Sequence, residues 1–485
     1  MSEPAPPTRT RGPLRRAAPA LFALLVFVSS GLTGERWISL APETGGSLHN
    51  LSLTWNLWRW GVASTRRATP PELQPDNRRE PLYSMLLAGV LAASADREAT
   101  TRACIFQREP ACEDLVLRLK RTNAWILAAT CAATFLAARA VLGPGLAAYL
   151  ACLLFATTGS LWRVLDRAKS ETLATLLVLL ACWGLYAAAS RARWRVPAIA
   201  GGVALGLLML TKAVFFFAGP VLLAAALVPL KGRRPWKPVG VALAVAYLVT
   251  APWVARNLHH DLGFGISRDR EVLAIRAEHT TMSWREWSAA WLYFAGEGSG
   301  LARGLLERSF APEDWARLME SNPDGYYLRA KKNRGAVAAR VQDGPVTEDA
   351  TYEAAKAVIL EHWPMQIAVT GPFAVRGIFV GQNLYRWPPA KRAARTLANL
   401  MVPALAIWIG VLALRADTAR LWFVVLPVYS YAFHAGITQN IDRFTWPILP
   451  EAAVAFAALC ALAAPAVTAL AAASVAGRTR VRPAA

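Results

Sequence analysis

Charge is scarce in this 485-residue chain: only 18% of residues are Asp, Glu, Lys or Arg, while 55% are hydrophobic. Soluble domains carry about 25% charged residues, so a soluble globular surface is excluded. A disordered chain, which lacks apolar residues, is excluded with it. Cysteine is also sparse. Six cannot staple a chain of this length as they do a small secreted scaffold, and Cys131, Cys152, Cys182 and Cys460 lie in apolar runs, where a thiol packs as a small hydrophobe. The histidines lack metal-ligand spacing, since His259 and His260 are adjacent and His49, His279, His362 and His434 are scattered. Acidic residues number 32 against 53 Lys and Arg, a net charge of +21. In a soluble protein that balance would suggest a nucleic-acid binder. Zinc-finger spacing, an RNP-like strand and a continuous basic helix are all missing, however, and no nucleic-acid partner is expected.

What the chain has is long apolar runs. A hydrocarbon core about 30 Å thick takes roughly 17 to 25 apolar residues per helix. The pattern predicts ten spans, at 17–34, 120–141, 144–161, 171–189, 197–213, 214–230, 238–255, 396–414, 420–436 and 446–470. The expected fold is an all-α polytopic membrane protein of about ten transmembrane helices, with interfacial helices and a small external helical region. An even count puts both termini on one side, and the short segments of that side hold 17 Lys and Arg against Glu3 and Asp417. The positive-inside rule makes that side the cytoplasm.

The resulting map has a basic cytoplasmic tail at 1–16, an N-terminal bundle at 17–255 with a first external loop at 35–119, and an external region at 256–395. C-terminal spans follow at 396–470, and a basic tail at 471–485. In the first loop, Trp55, Trp58 and Trp60 with Leu51, Leu53 and Leu57 suit a helix lying in the interface, and Pro81 to Ser94 is short for a span. In the second, Trp284, Trp287, Trp291, Trp315 and Trp363 among many charges predict helices resting on the membrane surface, with a small external domain around 265–365. Cys104 and Cys112, with seven residues between them in an external loop that includes Pro110, can close a local disulfide.

Polar groups gather where the spans meet the outer face: Arg163, Asp166, Arg167, Lys169, Ser170 and Glu171 after the third span, and Lys212 between the fifth and sixth. Arg256 and Asn257 end the seventh span, and Asp442 and Arg443 precede the tenth. Singly these suit headgroup anchors. Together they form a cationic rim fitted to a lipid-borne phosphate, whose charge Arg and Lys offset where water is scarce.

Four motifs carry a family resemblance. Arg167–Leu173 reads RAKSETL, Gly201–Lys212 reads GGVALGLLMLTK, 251–257 reads APWVARN, and 441–450 reads IDRFTWPILP. In order and placement they resemble the GT-C glycosyltransferases, above all bacterial glycosyltransferase family 39, which is related to protein O-mannosyltransferases and lipid A aminoarabinose transferases. The resemblance implies a multi-pass enzyme of a bacterial inner membrane that takes a sugar from a polyprenyl-phosphate carrier and passes it to a lipid, glycan or protein acceptor outside. It also implies an acid in the first external loop, before an Asn-Leu-x-x-x-Gly helix end matched here by Asn56 to Gly61. The family spacing lands on Gly46 and Ser47, so Glu43, three residues earlier, is the candidate base and His49 a second. Arg78 and Arg79, in a basic-Pro-Leu-Tyr setting, join Lys212, Arg256 and Arg443 as candidates for the carrier phosphate. No metal site is indicated, because too few acids cluster to hold a divalent ion, although one bound through phosphate stays open. Two other readings of the same features are a non-catalytic lipid-phosphate-binding relative and a secondary transporter, although no internal repeat supports transport.

Overall fold

The computed structural model describes residues 13–479 apart from 44, 159–160, 228–234, 268–270, 297–298, 333–347, 379–388 and 439–441. The described residues contain helices and no strand. In chain order the helices are α1 (Pro13–Glu35), α2 (Gly46–Trp60), α3 (Pro81–Ser94), α4 (Arg102–Phe106), α5 (Glu113–Leu142), α6 (Leu146–Thr157), α7 (Glu171–Ser190), α8 (Arg195–Met209), α9 (Ala218–Leu227) and α10 (Trp236–His259). After them come α11 (Glu271–Thr280), α12 (Trp284–Gly296), α13 (Gly300–Ser309), α14 (Glu313–Ala316), α15 (Tyr326–Lys332), α16 (Glu348–Glu361), α17 (Trp363–Ala368) and α18 (Thr370–Ile378). The last four are α19 (Pro389–Leu414), α20 (Thr418–Ile437), α21 (Asp442–Thr445) and α22 (Leu449–Thr479).

A helix stands at each of the ten apolar runs. Among the described residues, five are long and apolar enough to cross a membrane, at Ala17–Glu35, Pro110–Leu142, Glu171–Ser190, Trp236–His259 and Trp446–Ala466; α6, α8, α9 and the apolar end of α19 are shorter. Local chemistry sets several boundaries. Pro81 opens α3, where its missing N–H is no loss. Gly61, at φ 70°, closes α2 in the left-handed region that a side chain would strain. Asp417 Oδ1 accepts the Arg420 N–H at 3.1 Å and caps α20.

The GGVALG run makes α8 the thinnest element of the bundle. A Cβ on Gly184 of α7 would fall 2.5 Å from Gly201 Cα, one on Gly202 2.4 Å from the Ala242 carbonyl oxygen of α10, and one on Gly206 2.7 Å from that of Ala246. Gly202 and Gly206 form a Gly-x-x-x-Gly step, which lets helix backbones approach closely in lipid, where no hydrophobic force draws them together. One large apolar core joins α2, α3, α5, α6, α7, α8, α10, α20 and α22.

A second, smaller core lies among 271–378. Met282, Phe294, Tyr326 and Phe373 are buried there, with Trp287 and Trp315 packed against them. Its helices extend to Ile378, beyond the 265–365 expected for the small domain. Arg276, fully buried, fastens this unit to the bundle. Its guanidinium donates to the carbonyls of Ala435 (3.0 Å), Thr438 (2.9 Å) and Gln366 (3.0 Å), to Gln366 Oε1 (2.7 Å) and to Thr370 Oγ1 (3.1 Å). Ala435 and Thr438 lie at the C-terminus of α20, whose terminal carbonyls carry the negative end of the helix dipole. Burial lowers the Arg276 pKa to about 9, which still leaves the group charged at neutral pH.

Candidate functional site

Three connections converge at one end of the bundle: 36–45 between α1 and α2, 61–80 between α2 and α3, and 158–170 between α6 and α7. Helix α5 enters the bundle at this end, and Lys120, seven residues into it, is 1% exposed. A buried ammonium is costly unless paired. Lys120 Nζ lies 2.6 Å from the Ser39 carbonyl, 3.0 Å from that of Ala41, 3.1 Å from Asp166 Oδ1 and 3.8 Å from Glu43 Oε1. Asp166 is engaged further, since Oδ1 accepts the Ser39 N–H at 2.6 Å and Oδ2 the Ser39 hydroxyl at 2.8 Å. Both Glu43 oxygens lie 3.2 Å from the Ala168 N–H. Arg167 donates to the Pro42 carbonyl (2.9 Å) and Asn50 to that of Ala168 (2.9 Å). Segment 166–168 is thereby laced onto segment 39–43.

The lacing continues along the RAKSET stretch. Asn123 donates to the Arg167 carbonyl at 2.7 Å, and its own oxygen accepts from the Tyr83 hydroxyl (3.1 Å) and the Thr172 hydroxyl (2.8 Å). Glu171, on the first turn of α7, pairs with Lys212 at 3.6 Å. Glu80 accepts the Ala213 N–H at 3.2 Å, and the Leu82 N–H reaches the Leu210 carbonyl at 3.0 Å. One polar path thus runs from Glu43 through 167–172 to Lys212, with the start of α3 hung beside it. A recess no larger than a single water molecule at its Glu43 end is walled by Leu51, Ile105, Val116 and Leu119, with Arg108, Lys120 and Ala168 at its polar side.

The residues singled out in the sequence divide between separate places. Glu43 and Lys212 lie at the two ends of the path. Arg79 Nη2 lies 3.4 Å from His49 Nδ1, and a Cβ on Gly46 would also be 3.4 Å from it. Arg78 is half-buried, its N–H on Asp76 Oδ1 at 3.2 Å. Arg256, expected at the carrier phosphate, directs its guanidinium to the carbonyls of Asp76 (2.9 Å) and Ala63 (2.8 Å) and to Asn257 Oδ1 (2.8 Å), stacked 4.7 Å above Trp253. It therefore braces the loop that carries Arg78 and Arg79. Arg443 lies on α21, and its side chain is outside the described residues. Cys104 and Cys112 are joined in a disulfide, Cα atoms 5.4 Å apart. Among the described residues, Cys104, Glu109 and Cys112 are the one cluster of three metal-type ligands, and the disulfide occupies both sulfurs.

Lys120 and Arg108 were not singled out from the sequence. Lys120 opens an apolar run, the place of an ordinary snorkelling anchor, and nothing local reveals that its acceptors lie about eighty residues upstream.

No known protein family and no curated protein matches the chain by sequence. Among solved structures, the Archaeoglobus fulgidus oligosaccharyltransferase AglB, in complex with an inhibitory peptide and a dolichol-phosphate, is similar over 96% of this chain and 52% of its own, with 14% identity and a TM-score of 0.50. A structure of that enzyme with zinc and sulfate gives 14% identity over 94% and 52%, TM-score 0.49. ArnT from Cupriavidus metallidurans, in the apo state, gives 15% identity over 92% and 80%, TM-score 0.40. The chain spans about half the length of the AglB chain that it matches. The likeness to AglB shows that this chain shares that protein's fold.

Proposed function

We propose that this protein transfers a sugar from a polyprenyl-phosphate carrier to an acceptor at the outer face of a bacterial inner membrane, with both termini cytoplasmic and 256–395 outside. The observation that carries this reading is the continuous polar path from Glu43 to Lys212 at one end of an apolar bundle. Ionisable groups at membrane depth are costly and mark sites of function. The AglB structure with a dolichol-phosphate adds support, because that protein handles a lipid phosphate on the same fold.

In the proposed reaction an acceptor heteroatom bonds to the anomeric carbon while the bond from that carbon to the carrier phosphate oxygen breaks. Glu43 takes the acceptor proton. Arg78, Arg79, Lys212 and Arg443 offset the charge growing on the departing phosphate, and the sugar ring becomes cation-like on the way. Arg256 acts through the loop backbone it holds.

The test is sugar transfer in reconstituted vesicles with a radiolabelled polyprenyl-phosphate sugar. Glu43→Gln should retain carrier binding and lower turnover by about 10²-fold or more, the usual contribution of a positioned general base. Unchanged transfer by Glu43→Gln would remove Glu43 from the chemistry. A second reading is a lipid-phosphate-binding relative without turnover, favoured by the engagement of Glu43 with the Ala168 N–H and Lys120. Carrier binding without transfer by the wild type would select it.

A further inference from the structure

The disulfide loop reaches the Glu43 segment. Cys112 immediately precedes α5, and Val116, Leu119 and Lys120 follow it four, seven and eight residues on, along one helix face. That face lines the Glu43 recess. The Cys104–Cys112 bond draws the five-residue helix α4 against it, placing Ile105 in the recess wall and Arg108 above the loop. Arg108 has φ 60°, a left-handed conformation that a side chain adopts only where its surroundings enforce it. Its guanidinium donates to the Ala41 carbonyl. Lys120 donates to the same carbonyl at 3.0 Å. Two cations, one inside the disulfide-closed loop and one on the helix that follows it, thus grip a single carbonyl, two residues before Glu43.

We infer that Arg108 is a positioning residue, held by the Cys104–Cys112 loop, that fixes segment 39–43 and with it the Glu43 carboxylate facing the recess. The role assigned to Glu43 rests on the function proposed above, whereas the grip on the segment does not. Arg108 has no part in the chemistry. Its effect passes through Ala41, whose carbonyl carries the segment to which the Asp166 carboxylate and the Arg167 guanidinium are also bonded.

Hydrogen–deuterium exchange of residues 39–43 in the full-length, detergent-solubilised protein tests the grip without any substrate. Arg108→Gly removes the guanidinium while glycine accepts the φ of 60° without strain, so the backbone course is retained. Losing one charge-assisted hydrogen bond should speed exchange in 39–43 by about 10-fold or more. Cys104→Ser with Cys112→Ser should do the same, and Arg108→Lys should restore part of the protection. In the transfer assay Arg108→Gly should lower kcat with little change in KM for the lipid donor, and Arg108→Lys should recover part of kcat. Exchange in 39–43 that stays at the wild-type rate in both Arg108→Gly and the double cysteine variant would overturn the inference. An absence of transfer by the wild type would instead end the glycosyltransferase reading and leave the exchange result to decide this one.

Discussion

Buried charge is placed differently in the two cores. In the bundle it collects at the loop end, where Lys120 and Glu171 are buried beside the Glu43 carboxylate and the half-buried Asp166, with Glu451 on the first turn of α22 buried apart from them. Below that end the helices meet through Ala, Leu and Gly. In the 271–378 unit three guanidiniums and an imidazole stand among the aromatic rings themselves. Arg276 lies 4.8 Å above Phe373, Arg376 4.9 Å above Phe294, and Arg317 4.5 Å above Tyr326, while His279 touches both Tyr326 and Phe373. Apolar residues are too few there to form a deep core, so planar cations fill space, stack on rings and satisfy backbone carbonyls at once. The bundle is held by close steric fit and the smaller unit by polar satisfaction, and the two should fail in different ways.

The largest effect is expected from Arg276→Ala. It leaves the carbonyls of Ala435 and Thr438 and the Gln366 side-chain oxygen without their Arg276 donor, and a loss of about 3 kcal/mol or more is expected for the unit. Limited proteolysis of purified protein should cut within 271–378 while the bundle stays whole, and Arg276→Lys should restore only part of the resistance. Resistance equal to wild type in Arg276→Ala would remove the polar half of the contrast.

Next comes Gly206→Ala, whose Cβ would meet the Ala246 carbonyl oxygen at 2.7 Å and force α8 from α10, at a cost of about 1 to 3 kcal/mol. Gly240→Ala is its control. A Cβ there meets nothing within 4 Å, so that variant should instead gain about 0.5 to 1 kcal/mol from helix propensity. Thermal melts in detergent that move both variants in the same direction would contradict the steric account.

The smallest effect is a pH dependence confined to the 271–378 unit. His279 is fully enclosed, and its Nδ1 donates to the Ile275 carbonyl at 2.7 Å. Burial, with the Arg376 and Arg276 charges nearby, lowers its pKa to about 3. Between the unfolded value of about 6.5 and about 3, the unfolded chain therefore holds a proton that the folded chain refuses. Stability is complete above that window and falls as pH drops, by about 1.4 kcal/mol at pH 5.5. His279→Phe should abolish this part of the slope in proteolysis run from pH 7.5 to 5.5, and an unchanged slope would exclude His279 as its source.

How much of this could be read from the sequence varied with the range of the interactions. The apolar runs marked the helices because burial in lipid is written into local composition, and RAKSETL, GGVALG and APWVARN fell on the elements that frame the site. The boundaries were less legible. α6 ends at Thr157, although the apolar run suggested 161, because Trp162 begins a separate 3₁₀ turn. The least legible residues were those whose partners are far away in sequence. Lys120 and Arg256 look alike in the sequence, each a cation at the end of a span, yet each reaches backbone carbonyls of a loop that no periodicity describes. Arg276 lies in a polar region with no pattern at all, and only its partners on α17, α18 and α20 give it meaning.

The two-sided closeness of α8 has a mechanical consequence. A helix that can neither rotate nor slide without driving Gly201 into Gly184 or Gly206 into Ala246 transmits displacement instead of absorbing it, so α7, α8 and α10 move as one plate. Lys212 follows α8 and Arg256 lies near the end of α10, so both stand at the rim of that plate. Segment 39–43 is bonded to 166–168, which leads directly into α7, so it is tied to the same plate.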